Sequence, residues 1–510
     1  MFDREEPGRI MNFRPLLFTA VGFVAGLIAY RLYRSFPLTG VLKYAVPALL
    51  LACLALVFIL SLRTRSRAAA FASAAFALAL FRMWLAAPDS VPAGEYALSG
   101  TVSSVSERSA YSVVLTDAEL DGTKLRYPVR LLIGDRDSPP PAVGDSLKTE
   151  IVLKEDYDGL EDIDLSRLSS GIGLALECKS VNTVSRNGLP FTRWVDSVRS
   201  RLGARIRRLF PENGAVASAF LIGDRSELTH DEREIFRGSG VAHLLALSGL
   251  HVGVLTGMLL LIIPKGLRRT RFFAVLLFLS FYCVVTGFPA SLVRASVMTV
   301  CLLFAELTER RRDPLSSISL AALVILAVSP YSLWSVGFRL TFAATLGIIL
   351  LVGEQGAYSR SIIADRVISA VGVTFAAVMA TIVITARRYG YVSTYTLPVN
   401  LLAVPVFSLT VILCFVLLIL SFPLPFIAER IAWIPDRIMS GASFLLERAS
   451  LLPNSRIYLG YPPEICGWLM LLFMFIISPY VLRPVKKRAL ISLPVLLLFT
   501  ICLAFSIISV

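Results

Sequence analysis

Histidine is nearly missing from this chain: His230, His243 and His251 are the only three among 510 residues. That scarcity, with no HExxH motif, leaves too few imidazoles for an ordinary zinc centre. No GxxxxGK[ST] stretch occurs either, which excludes an ATP motor built on that phosphate loop. Cysteine is sparse, and six of the seven (Cys53, Cys283, Cys301, Cys414, Cys466, Cys502) lie in apolar runs. Cys178 alone lies in a polar region, so that region holds no disulfide framework. Charged residues make up only 17% of the chain against 56% hydrophobic ones, and the mean hydropathy is +0.72, more apolar surface than a soluble domain can bury.

What is present instead is a series of apolar runs of about 20 residues, the length that crosses a hydrocarbon core of about 30 Å. The expected fold is a polytopic α-helical membrane protein of about 10–12 spans with a small extracytoplasmic β-barrel, OB-like, inserted after the third span. The first three spans lie near 15–30, 44–62 and 68–87, and the first, lacking a small-residue cleavage site, reads as a retained anchor. Arg63, Arg65 and Arg67 form a basic cluster that places the N-terminus in the cytoplasm and the segment after the third span outside. The expected localisation is the bacterial plasma (inner) membrane, crossed many times. Excess positive charge on cytoplasmic loops accounts for most of the formal +14, which does not by itself indicate a nucleic-acid partner.

Five domains are expected: N-terminal transmembrane helices over 1–88, the β domain over 89–190, interfacial linker helices over 191–237, a transmembrane channel domain over 238–455 and C-terminal helices over 456–510. In the β domain, Tyr96 to Ser104, Tyr111 to Thr116, Leu125 to Ile133, Ser146 to Leu153 and Gly173 to Val184 alternate as strands. With 10 Lys and Arg against 17 Asp and Glu over 88–190, this domain is acidic and a poor candidate for a nucleic-acid clamp. Arg193 to Phe210 is an amphipathic helix with Trp194, Val198, Leu202, Ile206 and Leu209 on one stripe, suited to a membrane surface or to packing on its own domain.

The stretch from Gly238 to Gly257 is apolar yet holds His243, Ser248 and His251, and ionisable groups at membrane depth mark functional sites. Read as one helix, it gathers Ala242, Ala246, Gly249, Gly253 and Gly257 into a packing ridge and turns the two histidines and Ser248 to another side. Further spans lie near 272–287, 292–307, 315–330, 335–352, 367–386, 464–482 and 488–508, and the run from Leu397 to Leu420 is interrupted by Pro398 and Pro405. Phe426 to Leu452 is amphipathic, and an inside location for the basic loop at 483–488 requires one broken or re-entrant crossing between 397 and 452. Parity puts Arg387 and Arg388 outside, against the usual charge bias. The loop Thr286 to Ser291 places Pro289 at the first position of a helix that carries Arg294 one turn in, which favours anions. Arg339 and Glu306 are further intramembrane candidates, each equally suited to a structural ion pair. Two arginines and two histidines at depth suit an anionic passenger. A Ser248 hydrolase is the enzymatic alternative, but Ser248 and His251 would share one helix.

Gly223 to Leu255, GDRSELTHDEREIFRGSGVAHLLALSGLHVGVL, resembles the signature of the ComEC family of competence proteins. TGFPASLVRASVM from Thr286, the segment from Arg310 through Phe342 and RRYGYVSTYTLPVNLLAVPVFS from Arg387 agree with it in order. The resemblance implies an inner-membrane channel for single-stranded DNA in natural transformation. It also implies a DNA receptor, a separate nuclease and a cytoplasmic helicase as partners, and no cofactor or metal. It directs attention to Asp224, Arg225, His243, Ser248, His251, Arg294 and Phe342, with Arg339 and Thr341 departing from the Gln and Ser common there. No HxHxDH motif of the nuclease-like domain is present and no histidine follows His251, so the expectation is a channel-only, non-enzymatic member. The rivals are an exporter or flippase for another polyanion or a lipid precursor, and the hydrolase.

Overall fold

The structure, a computed structural model, describes residues 14–35, 67–88, 91–107, 111–133, 141, 143–153, 157, 168, 172–178, 182–185, 190–245, 247, 249–310, 313–352, 362–459, 462–478 and 485–508. The expected span at 44–62 falls outside these residues, as do Ala246 and Ser248. The chain divides into two compact units: one holds Arg14–Leu202 and Ser319–Ser335, the other Gly203–Ile318 and Val336–Val510.

In the first unit, α1 (Pro15–Ser35) and α2 (Arg67–Leu85) approach backbone to backbone. A Cβ on Gly22 would stand 2.1 Å from the Ala72 carbonyl oxygen, and one on Gly26 2.6 Å from that of Phe76, so the GxxxG spacing is what permits the contact. The β domain follows as β1 (Gly94–Glu107), β2 (Tyr111–Leu120), β3 (Thr123–Lys124), β4 (Val129–Ile133), β5 (Ser146–Leu153), β6 (Leu174–Cys178) and β7 (Asn182–Ser185). They form a seven-stranded sheet ordered β6-β4-β2-β1-β5-β7, with β3 paired to β2. All pairs are antiparallel except β4 with β6. Alternation supplies the core: Leu98, Val102, Val113, Leu115, Val129, Leu131, Leu147 and Ile151 are all buried on one face. The five expected strands are present. The last is divided in two, and a short return strand is added where Asp121 and Gly122 take positive φ. Arg82 donates to the carbonyls of Ala327 and Val328 at 2.8 Å each, and Tyr127 meets Tyr331 edge-on, so this unit also holds the 319–335 segment.

The helical unit opens within α3 (Pro190–Leu209) and continues through α4 (Gly214–Ile222) and α5 (His230–Gly238). Next come α6 (Gly249–Ile262), α7 (Arg268–Thr286), α8 (Ala290–Leu307), α9 (Pro314–Val328), α10 (Val336–Leu351) and α11 (Ile362–Tyr389). Then follow β8 (Tyr391–Ser393), α12 (Thr396–Leu420), α13 (Pro425–Ile431), α14 (Trp433–Ser450), β9 (Arg456–Tyr458), α15 (Glu464–Ile477) and α16 (Val485–Ile508). Among the described residues six helices are long and apolar enough to cross a membrane: α1, α2, α7, α8, α12 and Val367–Tyr389 of α11. His251–Ile262, α9, α10, α15 and Ile491–Cys502 are shorter apolar helices.

Three expectations need correction. Gly238 to Gly257 is not one helix: α5 ends at Gly238, Gly240 turns the chain at φ +80, Ala242–Leu245 forms a 3-10 turn, and α6 starts at Gly249. Gly240 can turn there because it lacks a Cβ, which would stand 2.1 Å from Thr396 Oγ1. The run from Leu397 to Leu420 is not interrupted at Pro398 or Pro405: it lies within the unbroken α12. Pro289 is the N-cap and not the first helical residue, because Gly287 and Phe288 at φ +78 and +54 have already turned the chain. β8 pairs antiparallel with β9, so the chain leaves along α12 and returns along α13 and α14 to its starting end. Tyr391 Oη donates to Glu234 at 3.0 Å and Arg456 pairs with the same carboxylate at 2.9 Å, tying α5 to this ribbon. Burial, then the Glu234 charge, push the Tyr391 phenol up to about 12, so it remains a donor at neutral pH.

Candidate functional site

The candidate residues group around the break between α5 and α6. His251, one turn into α6, is 3% exposed, and its ring lies 6.1 Å from that of Phe220 on α4. The cavity at this point is lined by Phe220, Leu244, His251, Val254, Phe407, Ser408 and Val411, with Phe407 and Ser408 contributed by the middle of α12. An imidazole among two phenylalanines, three aliphatic side chains and one serine is costly to hold there, which is what singles it out physically.

Arg294 on α8 is 7% exposed, and its Nη1 donates to the Thr341 carbonyl and to Thr345 Oγ1 on α10. Its Nη2 lies 3.6 Å from where a Cβ on Gly249 would stand, so the guanidinium lies against the first turn of α6. Two more bonds converge on the same break: Arg225 Nε donates to the Leu245 carbonyl at 2.8 Å and Ser291 Oγ to the Leu247 carbonyl at 2.5 Å. These bonds satisfy carbonyls that a continuous helix would have used internally. Arg225 from the loop after α4 and Ser291 from α8 thus hold the Leu245 and Leu247 carbonyls, and Arg294, also on α8, lies against Gly249.

The remaining candidates are placed apart. His243 is exposed on the 3-10 turn. Asp224 accepts from the Ser226 amide at 3.0 Å and from its hydroxyl at 2.7 Å, a local turn. Phe342 stacks on Phe338 at 4.1 Å and packs with Leu315, Ile318 and Ile349. Arg339 pairs with Glu464 at 3.0 Å, and Glu306 with Arg271 at 2.9 Å. Of the proposed ridge, Gly249 meets a neighbour and Ala242 sits on the 3-10 turn, whereas Gly253 and Gly257 have no atom within 4 Å of an added Cβ. Among the described residues no three His, Cys, Asp or Glu side chains gather as metal ligands.

Sequence reasoning missed the aromatic cluster above His251. Phe220, Phe236 on α5 and Phe407 meet with ring centroids 6.5, 5.3 and 5.7 Å apart. It also missed Asp436, buried on α14, which accepts from Asn213 Nδ2 at 2.8 Å and from the Asn213 and Glu212 amides at 3.1 and 3.3 Å. Asp436 is one of four charged residues on an amphipathic helix, and nothing in sequence singled it out or linked it to Asn213.

Comparison with known proteins places this arrangement. Part of ComE operon protein 3 of Bacillus subtilis is 31% identical over 208 residues, 40% of this chain and 26% of that protein. Recombination protein 2 of Haemophilus influenzae is 31% identical over 143 residues, 26% of this chain and 18% of that protein. The chain therefore aligns with about a quarter or less of the length of these relatives. No solved structure matches the chain. The competence protein family matches residues 220–487, just over half of the chain and the whole segment that carries the clamped break, His251 and Arg294. This helical membrane protein belongs to the competence protein family.

Proposed function

We propose that the chain is a channel that passes single-stranded DNA across the bacterial inner membrane during natural transformation. In this reading the N-terminus is cytoplasmic, the β domain is an extracytoplasmic OB-like fold, and strand degradation and pulling come from a separate nuclease and a cytoplasmic helicase after a receptor delivers the DNA. The observation that carries it is the burial of His251 and Arg294 together beside a broken helix, in the segment shared with the competence family. Irregular backbone is tolerated at membrane depth where it lines a path or is buried in protein, and cationic groups at depth suit a polyanion. Ser248, Asp224, Arg225, His243, Arg339 and Phe342 are assigned to the same path, and the chain is assigned no catalytic step.

In the host, deletion of the gene abolishes transformation by linear DNA. His251→Ala and Arg294→Ala each lower the frequency at least about tenfold in cells that immunoblot shows to retain the protein. A deletion strain that transforms as well as its parent would sink the reading; unaffected point variants would reject those two assignments.

A further inference from the structure

Along the path argued above, the side chains next to His251 are closely packed. Phe220, Phe236 and Phe407 are 2%, 1% and 2% exposed, their rings meet pairwise, and the Phe220 ring lies 6.1 Å from that of His251. We propose that these three rings are a hydrophobic gate across that path, with α4 as its moving side; the inference rests on the channel reading.

The two sides of the contact are built differently. Phe407 stands in the middle of α12, a helix of 25 residues. Phe220 stands on α4, nine residues long, with Gly223 at φ +73 at its end. Phe236 stands on α5, which Glu234 fastens to Tyr391 and Arg456 of the β8–β9 ribbon. A short helix ending on such a glycine can change direction without refolding, whereas a 25-residue helix and a helix fastened to a strand pair cannot. α4 is buried and, apart from Ser218, apolar; among the described residues the side-chain hydrogen bond to it is Tyr282 Oη donating to the Leu221 carbonyl at 2.8 Å. At its N-terminal end, Asp436 caps the corner at Asn213 and so supplies a pivot.

Contact between apolar rings excludes water, and an apolar constriction without water blocks ions as effectively as a solid wall. Parting the rings by moving α4 away from α5 and α12 would expose His251 and present flat aromatic faces, on which bases of any sequence can stack. A DNA importer has both needs: a seal against ions at rest and indifference to sequence when open.

The test uses the full-length protein in planar bilayers. Phe220→Ala and Phe407→Ala should raise ionic current at least about tenfold over the parent. Phe272→Ala, which removes a ring packed on Phe273 and Phe304 away from the cluster, should stay at the parent's level. Phe220→Ala as tight as the parent, or Phe272→Ala equally leaky, overturns the gate. In cells, a Phe220→Cys, Phe407→Cys pair whose cross-link is verified by mass spectrometry should lower transformation to the deletion level and recover on reduction. A cross-linked protein that imports DNA normally overturns the gate alone. Transformation that survives deletion of the gene removes the channel reading beneath it.

Discussion

Asn213 begins α4 as its N-cap but makes no cap bond with its own side chain. The carboxylate of Asp436 takes that place from another helix, accepting the free amides where the dipole of α4 is positive. Asn213 Nδ2 reaches Ser440 Oγ at 2.8 Å as well, so the corner is fully bonded. Asp436→Ala would leave the Asn213 and Glu212 amides without their acceptor, while Asn213 Nδ2 keeps Ser440 Oγ, and should cost about 2 kcal/mol. That loss is read as a lower unfolding midpoint of the purified protein in detergent. Asp436→Asn, which keeps one acceptor oxygen, should lose clearly less, and an equal loss in both variants would refute the cap. Residues of this kind show where sequence reading stops. His251 and Arg294 were legible by type, because ionisable groups in apolar runs announce themselves. Their partners were not: Arg294 binds Thr341 and Thr345 and Asp436 binds Asn213, pairings that tertiary packing creates and local pattern does not encode.

At the scale of elements, the period-two strands of the β domain and the boundaries of α3, α4, α7, α8 and α12 could be read to within a few residues, since alternation and run length encode them directly. The break inside Gly238 to Gly257 could not, because that stretch is apolar enough overall to read as a membrane helix and hydropathy does not distinguish a helix from a buried turn. What forces the turn is the fit of Gly240 against Thr396. Gly240→Ala should therefore destabilise the unit by about 2–3 kcal/mol, the sum of left-handed strain and a clash. Thr396→Gly in the same protein should restore part of that loss, because it removes the Oγ1 and Cβ contacts at 2.1 and 2.9 Å and leaves the strain. A full-length helix through this stretch would instead tolerate Gly240→Ala without loss, as measured by the thermal midpoint. The close contact of α1 with α2 through Gly22 and Gly26 was legible in principle, as a GxxxG spacing, but its partner surface on α2 was not.

For the helical unit as a whole, the β8–β9 pair decides sidedness. It brings 391–393 and 456–458 together, so α13 and α14 carry the chain back along α12, and the interrupted element expected between 397 and 452 is this return, parted at Ala432. On the orientation proposed above, Thr394→Cys and Tyr458→Cys should react with a membrane-impermeant maleimide added to intact spheroplasts. Lys265→Cys should react only after the cells are opened. Labelling of 394 and 458 from opposite faces is incompatible with the ribbon. The same ribbon also imposes an order of synthesis. Tyr391–Ser393 is made first and has no pairing strand until Arg456–Tyr458 emerges. In the interval α14, with Asp436, Arg437, Glu447 and Arg448, is a poor substrate for the insertion machinery, at roughly 3 kcal/mol for each charge placed at depth. α12 is among the most apolar helices of the chain, and only α13 parts it from α14. On the proposed orientation α14 therefore crosses only in company with α12, the two entering as one helical hairpin whose base the strand pair closes after both have been delivered.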